Sequence, residues 1–133
     1  MPYINVRIAA PKSAETAQQV AKLLTDLAVS ALGKQREVVA VDVQFTTPES
    51  WFVGGKTVAS QALNTFFIEV KVTTGTNTRD DKAKFIAAAY DGMHAILGTV
   101  TPTSYIVTQN VDGEDWGFGG QTQAYRYIAP QVK

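Results

Sequence analysis

Ile4, Val6 and Ile8 alternate with Tyr3, Asn5 and Arg7 at the start of the chain, the period-two pattern of a strand with one buried face. Ala10-Pro11-Lys12 then turns the chain. Ser13 stands at a helix N-cap position, and Ala17, Val20, Leu24, Leu27 and Ala31 recur at helical spacing until Gly33. A serine oxygen can accept from first-turn amides and a glycine tolerates the left-handed exit, so one helix is predicted between them. Val39, Val41, Val43 and Phe45 alternate with Ala40, Asp42 and Gln44 as a second strand, followed by the loop Thr47-Pro48-Glu49-Ser50 and by Trp51-Phe52-Val53-Gly54-Gly55.

The second half repeats the first. Sliding the chain by 65 residues places Ser13 on Thr78, Val20 on Phe85, Ala31-Leu32-Gly33 on Ile96-Leu97-Gly98, Val41 on Ile106, and Trp51-x-x-Gly-Gly on Trp116-x-x-Gly-Gly. The first strand, where Ile68, Val70 and Val72 echo Ile4, Val6 and Ile8, needs a slide of 64. Thr78 has Asp81 in the capping-box position. Agreement of strands, caps, stop glycines and hairpins in one register marks a duplicated β-α-β unit, each with parallel strands joined by a right-handed helical crossover. The expected fold is α/β (α+β), a four-stranded mixed sheet with both helices on one face. It forms a single domain over 1–133, with repeat one at 1–63 and repeat two at 64–133. The other face carries Tyr3, Asn5 and Arg7 beside Phe67, Glu69 and Lys71. Setting Arg7 and Lys71 against Glu69 predicts a polar surface with opposite charges matched across strands, and its aromatics argue for a cover, most simply subunit association.

Composition narrows the chemistry. The 133 residues are 45% apolar, enough for one real core. Lys plus Arg and Asp plus Glu number 12 each, so no long-range field draws the chain to nucleic acid or to an anionic membrane. With no cysteine and one histidine, thiolate catalysis, zinc-thiolate sites and His-paired triads are excluded. No metal site and no cofactor is expected, and His94 reads as a surface residue of the second helix. Neither a secretory leader nor an apolar run of about 20 residues is present, so the expectation is a soluble, cytoplasmic protein.

One position in strand one has a chemical reading. If Met1 is removed, Pro2 becomes the N-terminal residue and its nitrogen a secondary amine. An α-amino group titrates at roughly 7.7–8.0 in water, and desolvation disfavours its charged form, so an apolar setting leaves a neutral base at pH 7. The alternative is a strand-initiating proline that need not donate to the ladder.

Pro2 opening a strand, a Ser-capped helix ending in Gly, a second strand and an aromatic-x-x-Gly-Gly hairpin together resemble the tautomerase superfamily, whose members use an amino-terminal proline. The resemblance runs to about Arg126. The duplication is similar to the fused two-unit members, among them macrophage migration inhibitory factor, cis-3-chloroacrylic acid dehalogenase and malonate semialdehyde decarboxylase. It implies a homotrimer whose central barrel encloses the polar sheet faces. Pro2 has no duplicate, since Phe66 stands in its place. A trimer would then carry three amine sites, each completed by the turn Gly75-Thr76-Asn77-Thr78-Arg79 and the hairpin Trp116-Gly117-Phe118-Gly119-Gly120.

The same resemblance implies roles for other residues. Substrate-carboxylate arginines of the family sit on the turn, where this chain has Gly75 and Asn77. Arg79 comes two residues later, as a substrate contact or as a solvated cation, while Asn77 and the helix amides could hold an anion. Lys34, after Gly33, is a candidate charge for a carboxylate or enolate oxygen, or an ordinary C-terminal helix cation. Tyr105 could polarise a carbonyl from a neighbouring subunit or simply pack at the trimer interface. Trp116 and Phe118 would close the pocket, with Trp51 structural. Glu114 and Asp115 are possible water-activating carboxylates on an acidic loop that equally suits a solvated turn. The family's dehalogenase histidine falls near Ala28, against dehalogenation.

The expected activity is keto-enol tautomerisation of a small 2-oxo or enolic carboxylic acid with Pro2 as general base. Two alternatives stay open. One is a hydratase/dehalogenase- or decarboxylase-like enzyme with a protonated Pro2 as acid; the other is a non-catalytic trimeric binding protein on the same scaffold.

Overall fold

A computed structural model of the chain describes residues 2–128. The state of Met1, and with it the expectation of a free prolyl nitrogen, lies outside the described residues. In chain order the elements are β1 (Tyr3–Ala9), α1 (Ala14–Ser30), β2 (Ala40–Thr46), β3 (Phe52–Val53), β4 (Lys56–Thr57), α2 (Val58–Gln61), β5 (Phe66–Thr73), α3 (Arg79–Leu97), β6 (Tyr105–Val111), β7 (Gly117–Phe118), β8 (Gln121–Thr122) and α4 (Gln123–Ile128). Four strands form one sheet in the order β2-β1-β5-β6, parallel within each half and antiparallel where β1 meets β5. This is the predicted duplicated unit, down to the two small hairpins β3–β4 and β7–β8 that each lead into a short helix.

Ile4, Val6 and Ile8 of β1 and Ile68, Val70 and Val72 of β5 are fully buried against Val20, Leu24 and Ala28 of α1 and Phe85, Ala89 and Met93 of α3. Each fully buried aliphatic or aromatic side chain of this kind contributes about 1.5–3 kcal/mol relative to exposure. The buried stripe of α1 runs every fourth residue, through Ala28 rather than the predicted Leu27 and Ala31, which pack at the margin of the core. That helix faces α3 as well as the sheet, and a small residue lets the elements approach. Both helices start as the sequence predicts. Ser13 accepts from the Thr16 amide, and Thr78 and Asp81 form a complete capping box.

The opposite sheet face is polar and differs from expectation in its pairing. Arg7 lies level with Phe67, not Glu69, and donates to Gln44 Oε1 at 3.2 Å. Glu69 lies level with Asn5, and its cation is Lys71, two residues along the same strand at 3.6 Å. The antiparallel register decides this, because it places the two halves' charges in different rows. Tyr3, Tyr105 and Val107 remain exposed on this face at 38%, 66% and 39%. Among the described residues no helix is long and apolar enough to cross a membrane.

Candidate active site

Pro2 is buried at the sheet end where β1 begins and β5 ends. Its carbonyl accepts from the Ala40 amide at 3.3 Å, which ties it to β2. Tyr3 lies level with Lys71, so Pro2 is brought level with Val72, next to Thr73. There the chain leaves β5 in a tight turn. The Thr76 amide and hydroxyl both donate to the Thr73 carbonyl, at 3.2 and 2.6 Å, and Gly75 takes φ +83°. That left-handed conformation costs a side-chain-bearing residue strain and glycine little. Against this turn opens a cavity of about 610 Å³, bounded also by Gln35, Gly113, Phe118 and Arg126. Its size lies within the range of small-molecule sites.

Lys34 is delivered to the turn by the end of α1. Gly33, at φ +67°, donates to the Val29 carbonyl, and the Lys34 amide reaches back to the Ala28 carbonyl at 3.0 Å. These bonds satisfy the last carbonyls and swing the side chain across. Its Nζ donates to Thr76 Oγ1 at 3.0 Å. Burial pushes the Lys34 pKa below its usual value, and Asp81 opposes the shift.

Both amide hydrogens of Asn77 are engaged. The nitrogen donates to the Leu32 carbonyl at 2.9 Å and to Asp81 Oδ2 at 3.2 Å, while Oδ1 is buried without a partner. Asn77 therefore clamps the start of α3 to the end of α1. Arg79, the first residue of α3, is exposed and is not on the cavity wall.

The hairpin supplies the far wall. Trp116 Nε1 donates to Thr73 Oγ1 at 3.2 Å, fixing the indole to the end of β5. The Gln123 amide donates to the Trp116 carbonyl and the Ala124 amide to the Gly113 carbonyl, so α4 is held over the hairpin. Phe118 faces the cavity with the Arg126 guanidinium stacked on its ring, Cζ 3.7 Å from the centroid. Glu114 and Asp115 are exposed and border a different depression, with Trp116, Gly117 and Gln121.

Tyr105 is at the other end of the sheet. It lies level with Phe67 and thus with Arg7, five residues along β1 from Pro2, about 16 Å at strand rise. It lines a second cavity, of about 510 Å³, on the open sheet face with Asn5, Arg7, Trp51 and Phe67. Within one chain Tyr105 and Pro2 do not share a site. His94 is exposed on α3, and its Nδ1 accepts from the Val100 amide at 3.5 Å. Among the expected site residues, Phe118 lines this cavity; Lys34 and Trp116 are bonded to its wall residues Thr76 and Thr73 without lining it, and Pro2, Asn77, Arg79, Tyr105, Glu114 and Asp115 are not on its wall.

Sequence reasoning missed Arg126 and Gln35. The signal for Arg126 lay in the repeat itself, because its duplicate is Gln61 and that of Phe118 is Val53. Both halves of the stack are absent from repeat one.

The family described as Tautomerase enzyme matches residues 2–61 and 67–124. No curated protein sequence matches the chain. Among solved structures, a native fused 4-OT is 22% identical, with 96% of this chain and 98% of that one covered and a TM-score of 0.82. A second fused 4-OT, described as a wild-type symmetric trimer, is 21% identical over 92% and 96%, with a TM-score of 0.80. A malonate semialdehyde decarboxylase inhibited by 3-bromopropiolate is 18% identical over 96% of each chain, with a TM-score of 0.74. At these identities the likeness speaks for a shared fold. The family match spans both repeats and nearly the whole length, and on that ground the chain belongs to the tautomerase family.

Proposed function

We propose that the protein is a keto-enol tautomerase acting on a small 2-oxo or enolic carboxylic acid, with Pro2 as general base once Met1 has been removed. The observation that carries this reading is the cavity against the turn after β5, whose wall begins at Thr73, one residue beyond the point level with Pro2, and whose only charged wall residue among those described is a cation, Arg126. A desolvated setting would favour the neutral amine, the form that accepts a proton. The nitrogen lone pair would remove the proton α to the carbonyl, leaving an enolate, and the resulting ammonium would return it at oxygen or at another carbon. A positioned base of this kind contributes about 10²–10⁴-fold. Lys34, held at the turn through Thr76, would stabilise the developing enolate oxygen. Trp116 and Phe118 would exclude water. In a homotrimer, the assembly described for one fused 4-OT, Tyr105 of one copy would approach the Pro2 end of another. Glu114 and Asp115 are exposed, border a depression that Trp116 also lines, and have no bond to the cavity wall of the kind Trp116 makes to Thr73, so the hydratase/dehalogenase- or decarboxylase-like alternative draws less support from the geometry.

The test is ketonisation of phenylpyruvate or hydroxymuconate by protein whose intact mass shows Met1 gone. Pro2→Ala should lower kcat/KM by at least about 10²-fold. An unchanged rate would sink the mechanism.

A further inference from the structure

We infer that Arg126 selects for a carboxylate in this cavity, its guanidinium held as a rigid shelf between the Phe118 ring and the Gln121 side chain. The inference takes the cavity as the active site from the tautomerase reading, but carboxylate binding stands apart from the chemistry and can be tested alone.

Three observations carry it. The first is that the guanidinium is fixed: its Cζ sits 3.7 Å over the Phe118 ring, and Nη1 donates to Gln121 Oε1 at 3.1 Å. A stacked and hydrogen-bonded fork has already lost most of its rotamer freedom, so little is lost when a ligand binds. The second is that, among the described residues, no acid pairs with it. The ion pairs among the described residues join Lys22 and Arg36 to Asp26 and Lys71 to Glu69, and none includes Arg126. The nearest acidic segment in sequence, Glu114-Asp115, borders the other depression. Five N–H donors serve a guanidinium, and Gln121 takes one, which leaves an edge able to meet both oxygens of a carboxylate.

The third observation is the comparison between repeats. At the duplicate position Gln61 folds inward, its amide donating to the carbonyls of Val53, Lys56 and Thr57, and Val53 stands where Phe118 does. Repeat one therefore has neither the ring nor the cation. The two departures occur together and only in the repeat whose hairpin is bonded, through Trp116 and Thr73, to the end of β5. The turn 73–76 brings no cation to the wall: Asn77 is engaged, Arg79 is off the wall, and Lys34, whose Nζ donates to Thr76 Oγ1, does not line the cavity. The C-terminal helix α4 supplies the charge instead.

The probes are benzoate and its neutral analogue benzamide, which do not react, titrated calorimetrically into the full-length protein. Wild type should bind benzoate about tenfold to hundredfold more tightly than benzamide. R126Q, which installs the repeat-one residue, should bind the two alike with an unchanged Tm. R126K should restore part of the preference, because an ammonium replaces a bidentate fork with a point charge. In turnover of phenylpyruvate, R126Q should raise KM about tenfold or more with kcat nearly constant, and should not affect turnover of the methyl ester. Retained benzoate preference in R126Q overturns the inference. So does the absence of any preference in wild type, and so does equal loss of both ligands with a lowered Tm, which would mark a structural residue. If the binding pattern holds while no 2-oxo acid is turned over, the tautomerase reading fails and the inference stands. If Pro2→Ala abolishes turnover while R126Q keeps the wild-type preference for benzoate, the inference fails and the tautomerase reading stands.

Discussion

Lys34 carries its charge against the preference of its surroundings. Burial lowers its pKa from the ordinary 10.5, so between the depressed value and 10.5 the unfolded chain binds more protons than the native state. Stability therefore rises with pH through that window, and at neutral pH the protonated lysine is a destabilising element. Residues kept at a cost in stability are common where charge is used. Lys34→Met should raise the urea midpoint at pH 7 and lower kcat/KM. The wild-type pH profile of kcat/KM should rise as the Pro2 ammonium loses its proton and fall again below pH 10.5 as Lys34 loses its own. The variant should keep the acid limb and lack the alkaline one. A variant with an unaltered alkaline limb would remove Lys34 from the site. Pro2 and Phe66 show how much one position decides: a buried residue stands at the start of the first strand in each half, and only Pro2, once Met1 is removed, would have the secondary amine that the proposed mechanism requires.

The hairpin β7–β8 is the element on which the site turns, and its glycine is required by close approach. A Cβ on Gly117 would fall 1.9 Å from the Gln121 carbonyl oxygen, a backbone atom that cannot move aside without opening the pair. Repeat one has Phe52 at this position, so its hairpin must run differently in detail. Gly117→Ala should displace Phe118 and Gln121, hence Arg126, and cut kcat/KM by about tenfold to a hundredfold while the far-UV circular dichroism is unchanged. Full activity in that variant would show that the hairpin is not part of the site. The helices were readable because their signals are local. Ser13, the Thr78–Asp81 box, Gly33 and Gly98 each act within a few residues of themselves. Asn77 was not readable in the same way. Its partner Leu32 is 45 residues away, and nothing in the turn's own sequence shows that its amide is already engaged.

The open sheet face is where a single chain looks incomplete. Tyr105 and Val107 stand exposed on the outer strand β6, Tyr3 is partly exposed, and a cavity of about 510 Å³ opens among Asn5, Arg7, Trp51 and Tyr105. The homotrimer proposed for this chain would cover that face. Sedimentation should then give three times the 14.4 kDa chain mass. Val107 lies level with Glu69, so Val107→Glu would set two carboxylates directly opposite on the face to be covered. That variant should sediment as a monomer and lose turnover together with the contribution of Tyr105. A wild-type protein that sediments as a monomer would overturn the assembly.

Periodicity was enough to specify the β-α-β unit, its caps and its duplication, because hydrophobic alternation and capping are properties of neighbouring residues. It was enough to single out Pro2, since the repeat makes that proline the exception. Register was beyond its reach: whether Arg7 meets Glu69 or Phe67 depends on how two strands more than 50 residues apart align, and the antiparallel pairing of β1 with β5 decided for Phe67. Arg126 was missed for the same reason. The repeat marks it as a departure from Gln61, but its place on the cavity wall exists only because α4 folds back over a hairpin that brings the guanidinium onto the Phe118 ring. Local pattern dictates which elements form, whereas the meeting of side chains from different elements is a property of packing, and only the folded chain contains it.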